Sequence, residues 1–456
     1  MSDVRSFGAV GDGVADDTEA IRHALEAGDG VLEFPPGSYR VTRTISVPLR
    51  DRGSVAITGF GGSSRIVAET EGPALRILGN HRGTGDPLSI TAPVFEGERA
   101  PLVRDILIDG ATPNADGIEL KGVLQCSLQG VVVRRARHGI RLTERNRNLI
   151  LSGCHLYHNR GVGLYFDQVN LHQINVTGCH ISYNRMGGIR IEGSEVRNLQ
   201  ITGNDIEYNN ARTHAGLPQE PTAEIWIDTT GRGATVNEVT ICSNTIQATV
   251  SPGGSNLRIL EKPGTDRPPG LWTITGNVIG SQERNVWITG AHGITLTGNT
   301  IYSAAKENLL VEHSDQIVAQ GNHFRRHTPD MGTGVSLVAS RDVTLGGMTI
   351  RDESETGQKS GLPLLRIEAC DGVLIHGGAF IDGVPYGIEV QDSRHVRLSN
   401  VTVRERRTPP QAAGSIRFRG PGANNLIAYC DLELPYDLDS DSGVDILPSQ
   451  PASAHD

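Results

Sequence analysis

The chain has 456 residues, 56 of them glycine, few aromatics and a formal charge of −10. The length is ample for a large core, and the glycine content suits many short strands joined by turns. The acidic balance argues against nucleic acid or an anionic membrane as the main partner.

The N-terminus, "MSDVRSFGAVGDG", has no basic region followed by an apolar one, and no run of about 18 apolar residues follows anywhere. The chain as given is therefore expected in the cytoplasm, or outside the cell if a leader was removed, and not in a membrane. Next comes "DDTEAIRHALEA". Asp16 or Asp17 can cap a helix whose Ile21, Ala24 and Leu25 share one face. "GVLEFPPGSYRV" then enters a first coil, so residues 1–50 read as a cap and first coil. "GFGGSSR" (59–65) is glycine-rich, but it stands in a strand context with no helix after it and reads as a turn.

From about residue 118 a short apolar alternation returns: "GIELKG", "GIRLTE", "GLYFDQ", "GIRIEG", "EIWIDT", "NLRILE", "NVWITG", "NLLVEH", "VSLVAS", "LLRIEA", "GIEVQD", "SIRFRG". A second strand follows many of them ("INVTGC", "LQITGN", "WTITGN"), and then a third ("HISYN", "DIEYN", "TIYSA"). Three short strands per unit, at roughly 22–36 residues, describe one coil of a parallel β-helix. Asn204, Asn244, Asn277, Asn299 and Asn322 recur at one turn, where amides can hydrogen-bond from coil to coil. The six cysteines show no CxxC spacing. Cys154 and Cys179 fall at one repeat position and read as small buried hydrophobes. The fold expected is all-β, a single right-handed parallel β-helix of about a dozen coils over 51–432. The polar segment 433–456 reads as an extension.

The opening from Phe7 to Val41 resembles the N-terminal cap of the pectate-lyase-like superfamily of right-handed β-helix proteins. That superfamily holds polygalacturonases, lyases, epimerases, fructotransferases and phage tailspikes. The resemblance implies a carbohydrate-active protein. Exposed flanks of such helices often trimerise, which makes a homotrimer an expected assembly. "NADGIEL" (Asn114 to Leu120) resembles the Asn-Thr-Asp-Gly motif of polygalacturonases, but the motifs that should follow it are absent. Asn-x-Asp-Gly is also an ordinary turn entry, and Asp116 reads as structural.

In each first strand the residues between the inward apolar pair face outward, and coil stacking sets them about 4.8 Å apart. One outward column runs Glu119, Arg141, Tyr165, Arg190, Trp226, Arg258, Trp287 and Leu310. The next runs Lys121, Thr143, Asp167, Glu192, Asp228, Leu260 (then Glu261), Thr289 and Glu312. Exposed aromatics among hydrogen-bonding groups suit the faces and hydroxyls of sugar rings. Stacked carboxylates supply the acid and the nucleophile or base of glycosidic cleavage, near 5 Å apart in retaining enzymes and about 6.5–9.5 Å in inverting ones. Asp167, Glu192 and Asp228 are the expected catalytic set, and crowding favours the middle member, Glu192, as the acid. Arg141, Tyr165, Arg190, Trp226, Arg258, Glu261, Trp287 and Glu312 are the expected binders of an oligo- or polysaccharide, with no cofactor.

Two other chemistries fit the same columns. A polysaccharide lyase or uronate epimerase would use Arg141, Arg190 or Arg258 as cation or base and Tyr165 as acid. Calcium could join Asp167, Glu192 and Asp228 under that alternative. "YFDQ" resembles the Tyr-Gly-Phe-Asp-Pro-His motif of alginate epimerases, without its Gly, Pro and His. A non-catalytic, tailspike-like glycan binder is the third reading.

Overall fold

The computed structural model describes residues 2–83, 85–214, 220–262, 264, 268–327, 332–353 and 361–447. The chain forms two compact units, Met1–Thr245 and Ile246–Asp456. Each is a stack of parallel coils.

In the first unit the apolar alternation sets the register. Ile140 and Leu142, Leu164 and Phe166, Ile189 and Ile191, and Ile225 and Ile227 are all fully buried. Each such side chain contributes roughly 1.5–3 kcal/mol on leaving water. A one-residue slip would turn the whole set outward, so the pairing is fixed. Arg141 therefore stands beside Tyr165, Tyr165 beside Arg190, and Arg190 beside Trp226. Thr143, Asp167, Glu192 and Asp228 form the adjoining column. The second unit repeats the pattern with Val286 and Ile288 and with Leu309 and Val311 inside. Its columns place Arg258 beside Trp287 and Thr289 beside Glu312.

Asparagines join the coils from within. Asn204 Nδ2 donates to Asn244 Oδ1 at 3.0 Å in the first unit. In the second unit Asn277 donates to Asn299, and Asn299 to Asn322, at 3.0 and 2.9 Å. A second ladder, not read from the sequence, runs from Asn159 through Asn184 to Asn209. The helix Thr18–Ala27 covers the start of the first unit and buries Ile21, Ala24 and Leu25. The two candidate caps divide the work. Asp16 Oδ1 accepts from the Thr18 backbone N–H at 3.1 Å, while Asp17 accepts from the N–H groups of Val10 and Gly11.

Two boundaries differ from the sequence reading. The coils number about 16, not a dozen. Ile45–Pro48 and Pro73–Leu78 already pair in parallel, but a long insertion containing the helix Ala92–Gly97 hides their period. At the other end Tyr436–Leu438 and Val444–Leu447 pair with the preceding coil, so strands continue into the segment read as an extension. Residues 448–456 of that segment lie outside the described residues. All six cysteines are free, with Cys154 and Cys179 buried. Among the described residues no helix is long and apolar enough to cross a membrane.

Candidate functional site

The first-strand face of the first unit gathers seven of the expected residues. Arg141 binds Asp167, its Nε donating to Oδ2 at 2.8 Å with Nη2 on the same oxygen. The carboxylate side chain is 13% exposed. Behind this pair, Arg76 donates to the buried Glu119 at 2.5 Å, and Arg141 Nη1 lies 3.9 Å from Glu119.

Glu192, one coil beyond Asp167, is more open, its side chain 42% exposed. Its Oε2 accepts the Tyr165 hydroxyl at 3.0 Å and lies 3.1 Å from Arg190 Nε. Burial first, and then the charges of Asp167 and Glu192, push the Tyr165 hydroxyl above its ordinary range. Tyr165 is therefore a protonated donor at neutral pH. The Arg190 guanidinium also lies over the Trp226 ring, 5.0 Å from its centroid. Asp228 closes the column. Its Oδ1 accepts from the backbone N–H and hydroxyl of Thr230 at 2.9 and 2.7 Å. Glu192 Oε1 and Asp228 Oδ2 carry no hydrogen bond from the described protein.

Sequence reasoning missed His138, whose ring centroid is 5.0 Å from that of Tyr165. Burial, opposed by Asp116 and helped by Arg137 and Arg141, holds its pKa down to about 4, so the ring is neutral near pH 7. Its Nδ1 accepts the Val162 N–H at 3.2 Å, which leaves the ring proton on Nε2. In the repeat His138 falls where the next coil has Val162, so no periodic signal marks it. Asp116 is 1% exposed and accepts from Arg137 Nε at 2.8 Å and from the His138 N–H at 3.1 Å.

A calcium ion needs six or more converging oxygens. Among the described residues no three His, Cys, Asp or Glu side chains converge in that way. Asp167 turns to Arg141, Glu192 to Tyr165 and Arg190, and Asp228 to its own turn. The three carboxylates do not fit a shared metal.

Three of the four expected binders in the second unit, Arg258, Trp287 and Glu312, form a cluster of their own, and Glu261 stands apart from it. Arg258, 7% exposed, lies over the Trp287 ring at 3.6 Å, with Arg284 at 4.3 Å. Trp287 Nε1 donates to Glu312 at 2.7 Å, and Arg258 donates to Thr289 at 2.9 Å. Glu261 is 4% exposed and accepts from the Lys262 N–H. Two guanidinium groups thus lie against the Trp287 ring, against one at the Trp226 ring.

Comparison with known proteins agrees with this architecture. A profile described as right handed β-helix region matches residues 264–430. The mannuronan C5-epimerase AlgE6 of Azotobacter vinelandii is 30% identical over 172 residues, 34% of this chain and 19% of that protein. The pre-neck appendage protein of Bacillus phage B103 is 32% identical over 107 residues, 24% of this chain and 11% of that protein. The chain thus spans under a fifth of the length of these relatives. Among solved structures, the tailspike gp49 of Pseudomonas phage LKA1 aligns with a TM-score of 0.49 at 14% identity, over 98% of this chain and 84% of that one. A second profile covers residues 1–237, more than half of the chain, and includes the whole first-strand face described above. The chain belongs to the family that this profile defines, rhamnogalacturonase A/epimerase, pectate lyase-like.

Proposed function

We propose that the first-strand face of the first unit binds an oligo- or polysaccharide and cleaves or transfers it at a glycosidic bond. The observation that carries this is the pair Glu192 and Asp228. They stand on neighbouring coils, and each keeps one carboxylate oxygen uncommitted. Neighbouring coils lie about 4.8 Å apart, near the roughly 5 Å separation of a retaining carboxylate pair.

Glu192 accepts the Tyr165 hydroxyl and is ion-paired with Arg190, whereas Asp228 has no cation beside it among the described residues. That setting suits a carboxylate that attacks the anomeric carbon more than an acid that must arrive carrying its proton. Crowding alone, read from the sequence, gave Glu192 the opposite role, because the columns named Tyr165 and Arg190 without showing that both side chains turn to Glu192. Asp228 then protonates the departing glycosidic oxygen and afterwards takes a proton from the water that releases the sugar. Trp226 offers an apolar face to the ring, and Arg141 keeps Asp167 out of the reaction.

A second reading is proton abstraction from a uronate, as in a lyase or epimerase. The stretch shared with a mannuronan C5-epimerase favours it, as does a protonated Tyr165 beside Arg190. One experiment separates the readings. The purified chain is incubated with a panel of neutral and uronate polysaccharides while reducing ends, ultraviolet absorbance and the proton NMR spectrum are followed. New reducing ends without absorbance support cleavage by the carboxylate pair. Unsaturated products or an inverted C5 configuration replace it with the uronate reading. Binding without any product leaves a non-catalytic glycan binder.

A further inference from the structure

We propose that the second-strand face of the first unit carries a separate groove for an uncharged oligosaccharide chain. The groove encloses about 460 Å³, within the range of small-ligand sites. Amides line it. Gln125, Asn148, Gln173 and Asn198 form a row, one per coil, and Asn175 and Gln200 form a second row beside it. Ile150, 41% exposed, adds apolar surface. Among the described residues no charged side chain lines the groove, although charged residues make up 21% of the chain.

Backbone conformation accounts for Asn148 and Asn198 but not for the glutamines beside them. The four residues of the first row all adopt left-handed backbone, with φ of 60°, 56°, 66° and 54°. Asparagine tolerates that region, but glutamine gains nothing there. Inside the coils, Asn159, Asn184 and Asn209 spend their amides on one another. In the groove, Asn148, Gln173, Asn175, Asn198 and Gln200 make no side-chain hydrogen bond to the described protein. Gln125 gives only its oxygen, to Arg99 at 2.7 Å. Asn148 Oδ1 is shut off from solvent and still has no donor.

Each amide offers a donor and an acceptor side by side, as does each sugar hydroxyl. The rungs repeat every 4.8 Å or so along the stack, close to the length of one pyranose unit. A glycan lying along the stack would therefore meet one amide pair per sugar, and the lack of charge selects neutral chains. No residue is shared with the Glu192 face, so this inference stands whichever reaction that face performs.

The test is calorimetric titration of the full chain carrying Glu192→Gln, which keeps ligand from being turned over. The probes are cellohexaose, maltohexaose and mannohexaose, with a hexamannuronate as the charged control. The expected result is that a neutral hexasaccharide binds, and that adding Asn175→Asp with Gln200→Glu weakens it at least tenfold. Those near-isosteric changes should leave the thermal melt unchanged. If they shift it, Gln173→Ala replaces them and the same loss is expected. Adding Trp226→Ala should leave this binding in place. Three outcomes overturn the proposal: no neutral hexasaccharide binds, the groove variants leave binding intact, or the hexamannuronate binds the groove more tightly than the neutral chains.

Discussion

The Tyr165 hydroxyl donates to Glu192 Oε2 across one coil at 3.0 Å. The bond links a phenol that burial keeps protonated to a carboxylate that is still open to solvent. It fixes the orientation of Glu192 and leaves Oε1 free. A hydrogen bond to a charged group is worth about 1.5–3 kcal/mol. Tyr165→Phe should therefore slow turnover by roughly 10–100-fold while the circular dichroism spectrum stays the same. Glu192→Gln should nearly abolish turnover. A Tyr165→Phe rate equal to that of the parent would remove the hydroxyl from the mechanism.

The neighbouring carboxylates should separate by role. Asp228→Asn should lower the rate by about a thousandfold or more, since the acid and later the base are lost together. Asp167→Asn should act through stability instead, because Arg141 loses a partner that is mostly buried. A cost of about 1–3 kcal/mol is expected, read as a lower denaturation midpoint. Proton NMR of the first product should show the anomeric configuration retained. An inverted product would instead move the second carboxylate to Asp167, two coils from Asp228.

The two outward tryptophans make a matched pair of tests. Trp226→Ala should weaken glycan binding by about 1–2 kcal/mol with little change in melting temperature. Trp287 is tied to Arg258, Arg284 and Glu312. Trp287→Ala should cost about 1–3 kcal/mol of stability, through two lost cation–π contacts and one of the two hydrogen bonds to Glu312. Fluorescence titration and thermal melts on both variants check this. Equal melting points would mean that the guanidinium cluster contributes nothing to stability.

The contrast between these tryptophans marks how far the sequence could be read. Alternation of apolar residues determines which side chains point out and which lie in one column, and the pairing of Tyr165 with Arg190 and of Glu192 with Asp228 follows from it. It says nothing of rotamers. How closely guanidinium groups pack on an outward tryptophan depends on rotamers and on side chains at other repeat positions: Arg190 stands 5.0 Å from the Trp226 ring, while Arg258 stands 3.6 Å from that of Trp287 and Arg284, outside both columns, 4.3 Å. The coil count was short because the first coils carry an insertion that breaks their period. His138 went unseen because its repeat position carries valine in the next coil. Six outward amides on the second-strand face gave no signal, since polar residues on an outer face are what any β-helix shows.

Glu224 offers a test of the interior. It ends the ladder of Asn159, Asn184 and Asn209, where another amide would have continued it. Its Oε1 accepts the Asn209 N–H at 2.9 Å and its Oε2 accepts Asn209 Nδ2 at 2.5 Å. Burial raises its pKa to about 8, against the two donors of Asn209 and with a contribution from the negative Glu207 and Asp205. The unfolded chain releases this proton near the ordinary glutamate value of 4.5. Below that pH both states hold the proton, and the group does not affect stability. Between pH 4.5 and about 8 only the folded state holds it, so stability falls as pH rises. Above about pH 8 both states are ionised and the fall ends. Glu224→Gln removes the titration and keeps one acceptor for Asn209, while its NH2 faces the second Asn209 donor, a cost that does not vary with pH. The stability of the variant relative to the parent should therefore rise by about 1–3 kcal/mol or more between about pH 5 and about pH 8, and then level off. Urea denaturation of both proteins from about pH 5 to about pH 9 measures this difference. Curves that run parallel across the whole range would show that Glu224 releases its proton equally in both states, and the ladder would then end in an ordinary carboxylate.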